Sequence, residues 1–432
     1  MPAVLSKGDG GTAAEKEATQ EHKFKKLLMV IGPGVFSNVV SGAMLFTARQ
    51  ASVGKIFKSQ EALASFLSRL VSMSSFFELV TNPVFGKISD AYGRRSTMFI
   101  GNIMTTVCRL LMFSFPASLW PTVMEQLVTV PLITTFFTTW RAAASDELEG
   151  EVFSRFTATV GAFAGMGILT GPLISKVIMN RYEPKYCFLI ASIMSFCGLV
   201  HLACNFEETL PVDKRKPIII GDMQPFSFLQ VMKKSPTLQK LMCVSGLQSA
   251  GEGRNVNDFI ALYMQKNLNW DWSMINNFVA SLGVALITSG VGSKQMMARI
   301  GFANFTAFSN FSNITSFILY SLSTYNDWFM WLGLVAAIPG ARKRDVVEGL
   351  IMSEGTKEGF GKGFLSASMN NWRAVVNTLG PLFFGVVYNW GQRNKRPGAI
   401  WLSVASLTFS AQCVAWTLPN SVYEHTTRET KL

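Results

Sequence analysis

Charged residues are scarce in this sequence. Asp, Glu, Lys and Arg together make up 15% of its 432 residues, whereas an average soluble protein contains about 25%. Hydrophobic residues make up 49%, and the mean hydropathy is +0.28. This composition argues against an ordinary soluble domain and is typical of a chain that lies mostly in a lipid bilayer.

The residue types of common catalytic and metal sites are scarce as well. His22, His201 and His425 lie too far apart in the sequence for a metal-ligand spacing or a Ser/His/Asp set. The chain has no Gly-x-x-x-x-Gly-Lys-Ser/Thr phosphate loop, so it should not hydrolyse ATP. Its cysteines lie in apolar runs or at the edge of one, which predicts no disulfide framework. We therefore expect no enzyme activity, no catalytic residue, no cofactor and no metal.

Long apolar runs recur along nearly the whole chain. A helix needs about 20 apolar residues to cross about 30 Å of hydrocarbon, and the runs leave room for twelve such spans. The predicted spans are Leu27–Arg49, Ala62–Lys87, Met98–Ala117, Pro121–Trp140, Phe153–Met179, Tyr186–Asn205, Leu238–Met264, Ile275–Gly292, Phe302–Leu322, Trp328–Gly340, Phe364–Trp390 and Ala399–Leu418. The sequence thus predicts an all-α membrane protein with twelve transmembrane helices.

The net charge of +12 is concentrated between the apolar runs. Most of the cations fall on one face of the predicted topology: His22, Lys23, Lys25, Lys26, Arg94, Arg95, Lys214, Arg215, Lys216, Lys233, Lys234, Arg342, Lys343 and Arg344. The exceptions are Lys55, Lys58, Arg393, Lys395 and Arg396. Because Lys and Arg favour cytoplasmic loops, we expect a multi-pass protein with both termini in the cytoplasm. Topology accounts for the charge, so no nucleic-acid partner is expected. The plasma membrane and an organelle membrane both stay open.

Markers in the two halves of the chain repeat at a nearly constant offset. The pairs are Gly93 and Gly301, 208 residues apart, Pro172 and Pro381, 209 apart, and Asp146 and Glu354, again 208 apart. A constant offset favours a duplicated six-helix unit, as in transporters built from two halves around a central cavity. We expect two pseudo-symmetric halves. The predicted division is a disordered cytoplasmic tail 1–26, an N-terminal half 27–206, a cytoplasmic linker 207–237, a C-terminal half 238–420 and a cytoplasmic tail 421–432.

A charged turn between the second and third runs carries a recognisable motif. The segment from Gly86 to Arg95 reads Gly-x-x-x-Asp-x-x-Gly-Arg-Arg and includes Asp90, Gly93 and Arg94. Placed between two membrane helices, it resembles the signature loop of the major facilitator superfamily. That resemblance implies a twelve-helix transporter that works by alternating access.

Three further segments extend the resemblance. Gly167 to Pro172, with Gly171, resembles the glycine-proline motif of the superfamily's fifth helix. Glu208 to Pro211 and the segment leading to Gly380 and Pro381 are similar to tetracycline-resistance-type and other drug:proton antiporters. Proton-coupled folate-type carriers share much of this pattern. Small residues at these positions let membrane helices pack closely. The corresponding turn in the second half has no Asp where the first has Asp90. An equivalent charge contact in the C-terminal half is therefore in doubt.

The charged turn predicts a gate. Without a side chain, Gly86 lets the second helix approach a neighbour, and Asp90 is then placed to accept from the open amides of the eleventh helix near Gly361. Arg94 or Arg95 should pair with Asp146 or Glu147. Arg155 should oppose them from the fifth helix. The simpler alternative is that the arginines only set topology.

Polar residues inside the spans are the candidates for substrate and proton binding, since such residues usually face a partner or a cavity. The candidates are Glu78, Arg109, Glu125, Gln248, Glu252, Asn255, Arg373 and Asn377. The i, i+4, i+7 spacing on the seventh helix puts Gln248, Glu252 and Asn255 on one face. It also pairs Arg254 with Asp258.

Each charged candidate has a plainer alternative. Glu78 and Glu252 have no evident local partner, which favours a protonatable role, although burial can also keep such a group neutral and silent. Glu125 lies about one turn inside the outer face and can simply reach water. For Arg373, an anionic substrate group and an acidic partner on a facing helix are both open.

The sequence as a whole predicts a secondary transporter of a small organic solute. Protons are the expected coupling ion, and drug-type efflux is favoured slightly over import. An organic-anion symporter or facilitator is one alternative. A membrane sensor that keeps the fold without transport is the other.

Overall fold

The computed structural model describes residues 13–148, 150–215, 217–218, 224–419 and 421–423, and every regular element in these ranges is helical. The α-helices are α1 (Ala13–Gly54), α2 (Gln60–Tyr92), α3 (Arg94–Ser114), α4 (Trp120–Met124), α5 (Val130–Glu147), α6 (Gly150–Met179), α7 (Lys185–Asn205), α8 (Phe228–Lys234), α9 (Pro236–Ala250), α10 (Asn257–Asn267), α11 (Trp272–Leu322), α12 (Trp328–Ala337), α13 (Lys343–Lys357), α14 (Lys362–Arg393) and α15 (Ala399–Trp416).

Seven helical segments in these ranges are long and apolar enough to cross a membrane. They are Ala18–Gly54, Gln60–Tyr92, Arg94–Ser114, Arg155–Met179, Lys185–Asn205, Trp272–Gly290 and Ala399–Trp416. The predicted all-helical membrane architecture is therefore confirmed, whereas the count of twelve spans stays a prediction. Several of the other predicted spans are broken into shorter helices.

The fourth, seventh and tenth predicted spans contain breaks. A π turn, Glu125–Thr129, separates α4 from α5. A short 3-10 turn, Gly253–Asn255, separates α9 from α10. Another, Pro339–Arg342, joins α12 to α13, so helix continues to Lys357. The predicted end of the tenth span at Gly340 is therefore wrong. Pro339 has no amide hydrogen to continue the ladder of α12, and the next helix is too polar to read as a span.

The helices run between two ends of the bundle. We call the end that carries Lys23, Arg94 and Asp146 the terminal face, and the other end the opposite face. The N-terminal half, residues 13–206, and the C-terminal half, residues 224–423, meet mainly through α2 against α14 and α6 against α11. The largest buried apolar cluster lies toward the opposite face, where Trp401 packs on Tyr263 and Tyr320.

The first helix begins earlier than the sequence predicts. Residues from Ala13 onward are helical, so the part of the expected disordered tail that the structure describes is ordered, and residues 1–12 lie outside the described ranges. Lys23 pairs with Glu147 at 2.8 Å and Lys26 with Glu207 at 2.6 Å. The Lys26 ammonium lowers the pKa of the Glu207 carboxyl. These contacts tie the start of α1 to the terminal face.

The two predicted repeat turns have the same backbone geometry. Gly93 has φ 100° and ψ 161°, and Gly301, within α11, has φ 79° and ψ 165°. Positive φ is rare for residues other than glycine. The kink at Gly301 also divides α11 where the sequence predicts the boundary between two spans. The 208-residue offset therefore marks a repeated structural feature.

Candidate functional site

A cavity of about 180 Å³ lies mainly against the N-terminal half, on the opposite-face side of the bundle, and is closed on one side by residues of the C-terminal half. Its walls come from α1, α2, α3, the π turn, α5 and the residues around the break in the seventh span. The polar residues that line it are Arg49, Arg109, Glu125, Gln126, Thr129, Arg254, Asn257 and Asp258. Ionisable residues inside a membrane bundle commonly mark ion or substrate pathways. This cavity is therefore the first candidate site.

The π turn places Glu125 at the cavity wall. Pro131 follows it and has no amide hydrogen to give to the preceding turn, which favours a local break in the α-helical ladder. Turns of this kind occur frequently at functional sites. Glu125 is only 8% exposed, so the expectation that it simply reaches outside water is wrong. Among the described residues, no ion pair or side-chain hydrogen bond holds its carboxylate.

Two arginines on neighbouring helices interact electrostatically with Glu125. Arg109 on α3 is fully buried, donates to the Ser195 hydroxyl on α7 and faces the Glu125 charge. Arg49 on α1 donates to Gln126 and also interacts with the Glu125 charge. Protonating Glu125 would leave both arginines with less counter-charge.

Arg49 also reaches across to the C-terminal half. Its guanidinium donates to Asp258 on α10 at 2.9 Å, and Gln50 donates to the same carboxylate oxygen at 2.8 Å. Asp258 is therefore held by α1. The expected pair between Arg254 and Asp258 does not form, because the helix breaks between α9 and α10 and the i, i+4 spacing no longer applies.

Arg254 instead bridges the halves at mid-bundle. It pairs with Glu78 on α2 and donates to the Thr134 hydroxyl on α5 at 3.2 Å. Glu78 has no partner on its own helix, as the sequence indicates, but it is not unpaired. The partner comes from the other half of the chain, more than 170 residues away in sequence, and spacing within one helix cannot reveal it.

The three polar residues predicted to share one face of the seventh span point to different partners. Gln248 donates to Asn310 at 3.0 Å inside the C-terminal half. Asn255 donates to the Asn377 amide oxygen on α14 at 3.2 Å. Glu252, on the broken segment, pairs with Lys343 and Arg344. The one-face prediction is wrong because the segment is not one continuous helix.

Lys343 and Arg344 therefore lie inside the bundle. The sequence places them with Arg342 in a loop after the tenth span, but the helix continues and buries Lys343 completely. Nearby, Arg373 on α14 pairs with Glu348 on α13. Of the two alternatives for Arg373, the structure shows the acidic partner on a facing helix.

The charged turn of the N-terminal half forms an ion-pair cluster at the terminal face. Arg94 pairs with Asp90 at 2.6 Å and with Asp146 at 3.2 Å. Glu208, which the sequence analysis did not assign to the gate, accepts from the backbone amides of Arg94 and Arg95 at 2.9 and 3.1 Å. It therefore caps the first turn of α3. The position of Glu208, shortly after a predicted membrane helix, does not indicate this contact with a turn more than 100 residues earlier.

Two predicted gate contacts are absent from this conformation. Asp90 pairs with Arg94 in its own half. A side chain placed at Gly86 or at Gly361 would find no described atom within 4 Å, so neither glycine is in close contact with the other half. Arg155 pairs with Glu21 and stacks on Phe24 at 4.7 Å; it does not oppose Arg94.

The predicted packing glycines lie at close helix contacts. A Cβ at Gly167 would come 2.9 Å from Val39, and one at Gly171 would come 2.6 Å from the Val40 carbonyl oxygen. Both glycines thus allow α6 to pack closely against α1. Pro172 lies beside them in α6. In α14, Gly380 precedes Pro381, and a Cβ at Gly380 would meet the Asn255 side chain at 2.7 Å.

Changing Gly93 to Ala is expected to destabilise the charged turn. The residue has φ 100°, and a Cβ would lie 2.2 Å from a Glu208 carboxylate oxygen. Strained backbone of this kind costs about 1–3 kcal/mol, and displacing Glu208 removes the cap as well. The purified variant should show a lower melting temperature than the unchanged protein. Gly86→Ala is the matched control, because a Cβ at that position has free space. Equal melting temperatures for the two variants would contradict the prediction.

The halves contact each other from mid-bundle to the opposite face. Besides the Arg254 and Arg49 pairs, Ser72 donates to the Thr378 carbonyl at 2.5 Å. Thr47 donates to Asn276 at 2.8 Å. A Cβ at Gly283 in α11 would lie 2.6 Å from the backbone nitrogen of Leu169 in α6. These contacts close the opposite face, while Gly86 and Gly361 near the terminal face have open space.

Comparison with known proteins gives consistent results. The family model described as Major Facilitator Superfamily matches residues 31–381. The tetracycline resistance protein, class B, of Escherichia coli is 23% identical over 346 residues, 77% of this chain and 81% of that protein. The multi-drug resistance efflux pump PmrA of Streptococcus pneumoniae serotype 4 is 22% identical over 267 residues, 61% of this chain and 63% of that protein.

Solved structures share the fold at low identity. The human organic anion transporter TETRAN superposes with a TM-score of 0.68 and 14% identity, covering 91% of this chain and 99% of that chain. A D-xylose-proton symporter superposes with a TM-score of 0.69 and 14% identity, covering 92% and 98%. At this identity the likeness concerns the fold alone.

Proposed function

The chain belongs to the Major Facilitator Superfamily, and from that premise we propose that it is a proton-coupled transporter of a small organic solute working by alternating access. The observation that carries the proposal is Glu125, a carboxylate without an ion-pair partner among the described residues, at the wall of a cavity between Arg49 and Arg109. Such a group can load and release a proton inside the bundle.

Arg49 connects that proton to the closure between the halves. While Glu125 is protonated, its charge no longer competes for Arg49, and Arg49 is free to hold Asp258 of the C-terminal half at 2.9 Å. Loss of the proton gives Arg49 a second carboxylate within its own half and weakens the pair across the interface. Proton loading therefore favours closure of the opposite face, and proton release favours its opening.

We propose that the terminal face is cytoplasmic. Lys23, Lys26, Arg94 and Arg95 lie there, and cationic loops favour the cytoplasmic side. In that orientation, the structure represents a conformation closed toward the outside, and Glu125 lies on the outer side of the bundle. Asp90 at the terminal face would then form its predicted contact with the eleventh helix in the other conformation.

Export of a drug-type solute is the favoured direction. Its support is the sequence similarity to proteins named for tetracycline resistance and multidrug efflux. Entry of a proton from outside could then drive the solute outward. An organic-anion symporter is the second candidate, because several cations line the middle of the C-terminal half, including Arg344 and Arg373.

Flux in proteoliposomes tests the proposal. The purified chain is reconstituted with a pH-sensitive dye inside, and a panel of drugs and organic anions is screened for solute-induced proton movement. We expect at least one solute to move protons, with the sign of the pH change giving antiport or symport. Solute flux without proton movement would indicate a facilitator. Absence of all flux across the panel would contradict the transport proposal and favour the sensor alternative.

A further inference from the structure

We propose that the middle of the C-terminal half contains a binding site for an anionic group of the transported solute, formed by Lys343, Arg344 and Arg373. The inference rests on the proposed transport function and names the chemistry of the substrate: an organic molecule that carries a carboxylate or a similar oxyanion. The site is distinct from the cavity at Glu125, because none of these three cations lines that cavity.

Glu252 occupies the centre of this site. One of its carboxylate oxygens lies 2.8 Å from the Lys343 ammonium, and the other lies 3.1 Å from Nε of Arg344. Lys343 is fully buried, and an ammonium has three hydrogens to donate. Among the described residues, Glu252 is its one ion-pair partner. A single carboxylate thus holds two cations where an oxyanion ligand could take its place.

The charge of the cluster is not balanced. Five cations lie in it: Arg141, Arg342, Lys343, Arg344 and Arg373. Three carboxylates accompany them: Glu252, Asp345 and Glu348. Five against three leaves two positive charges. Lys343 is fully buried and the Arg344 and Arg373 side chains are about one-third exposed, so the excess positive charge lies in a water-accessible cleft and attracts an anion.

Arg141 brings the N-terminal half into the same cluster. It lies on α5, stacks on Trp140 at 5.5 Å and interacts electrostatically with Arg373, Glu348 and Asp345 across the interface. No carboxylate among the described residues pairs with it at ion-pair distance. An anion bound at Arg373 would therefore also attract Arg141, and a site between the two halves is the geometry that alternating access requires.

The position and exposure of the site fit a transported ligand. Glu252 lies about halfway along the predicted seventh span, and Lys343 lies about halfway between Trp328 and Lys357, the ends of the helical stretch formed by α12 and α13. Transporters of two-half construction bind their substrates at such mid-bundle positions. The Arg344 and Arg373 side chains keep 31% and 32% of their surface exposed. A ligand entering from the terminal face can therefore reach both guanidinium groups.

A purely structural role for the cluster makes a different prediction about Glu252. If Glu252 only neutralises Lys343 and Arg344, its removal should disorder the site and weaken the binding of any ligand there. If Glu252 holds the place of a substrate anion, its removal should free two cations and tighten anion binding. Glu252→Gln keeps the shape of the side chain and removes the charge, so it separates the two roles.

Two dyes with the same three-ring core provide the probes: fluorescein, which is anionic, and tetramethylrosamine, which is cationic. Binding to the purified full chain is followed by fluorescence anisotropy without a proton gradient. We expect Glu252→Gln to tighten fluorescein binding about tenfold, equivalent to ~1.4 kcal/mol. Arg373→Gln and Arg344→Gln should each weaken it about tenfold. Tetramethylrosamine should not gain affinity in Glu252→Gln.

The control is Glu354→Gln, on the same helix as Lys343 but paired with Lys357 near its end. It removes the same charge outside the site and should leave fluorescein binding unchanged. Weaker or unchanged fluorescein binding in a folded, monodisperse Glu252→Gln protein would overturn the proposal, as would no fluorescein binding to either protein. Because the binding assay needs no transport, these negative results would contradict the anion site alone. The proton-coupling proposal is tested separately by the flux measurements.

Discussion

Replacing Glu125 with Gln is expected to lower proton-driven solute flux about a hundredfold, a change of ~2.7 kcal/mol in the driving step. The substitution keeps the size of the side chain and a hydrogen-bonding group, but it cannot take up or release a proton at physiological pH. Arg49 would then always lack the competing charge, and its pair with Asp258 would hold the opposite face closed. Proton-driven cycling should stop at that conformation.

The measurement compares proton-driven accumulation with solute binding in the same protein. Binding should survive, because the Glu125 cavity lies apart from the cationic cluster of the C-terminal half. Glu183→Gln provides the control: Glu183 is at the opposite face and the Lys185 ammonium at 2.8 Å lowers its pKa, so it remains ionised at neutral pH. The control variant should transport normally. Full proton-driven flux in Glu125→Gln would remove Glu125 from the coupling mechanism.

The sequence predicts the helical architecture well, because twenty apolar residues leave few structural options in a bilayer. The 208-residue offset between Gly93 and Gly301 was also informative, since both residues have the same unusual backbone geometry. Arg94 and Asp146 are in contact as expected. The roles of these residues in gating stay predictions, because one conformation cannot show what breaks and forms during transport.

The errors in the predicted site have a common cause. Helical spacing predicts neighbours only along an unbroken helix, and the seventh span breaks between Gly251 and Val256, so Glu252 and Arg254 found partners elsewhere. The predicted end of the tenth span is too early, because Arg342, Lys343 and Arg344 resemble a charged loop that follows an apolar run. Lys343 and Arg344 are polar because they pair with Glu252 inside the bundle. Hydropathy averages cannot separate a water-facing loop from a helix that faces charged partners.

Pairing partners were harder to predict than the candidates themselves. Glu78, Arg109, Glu125, Glu252 and Arg373 were all identified by their charge inside an apolar run. Apart from Glu125, which has no ion-pair partner among the described residues, their partners lie on other helical segments, up to 176 residues away, and the partner of Glu78 depends on how the two halves meet. Nothing in the sequence around Glu125 predicts the π turn except the nearby Pro131.

Changing Gly283 to Val is expected to prevent closure of the opposite face. Gly283 lies in α11 where the two halves meet, and a Cβ there would lie 2.6 Å from the Leu169 backbone nitrogen and 2.8 Å from its Cα. Backbone atoms on a packed helix cannot move aside as a side-chain tip can, so α6 and α11 must separate. The contacts nearby, such as Thr47 to Asn276 at 2.8 Å, would be lost with them.

The variant should therefore populate the conformation that is open at the opposite face and transport at least tenfold more slowly, since moving a two-state equilibrium by ~1.4 kcal/mol already changes the ratio tenfold. A cysteine introduced at Ser72, which donates to the Thr378 carbonyl across the interface, reports the change in a background without the native cysteines. Its labelling by a membrane-impermeant maleimide from the opposite face should rise strongly in Gly283→Val. Gly292→Val, in the same helix at a position with free space, should leave labelling and flux unchanged. Equal labelling in the two variants would mean that this glycine contact does not control access, whereas a rise confined to Gly283→Val would identify the α6 and α11 contact as the seal of the closed conformation.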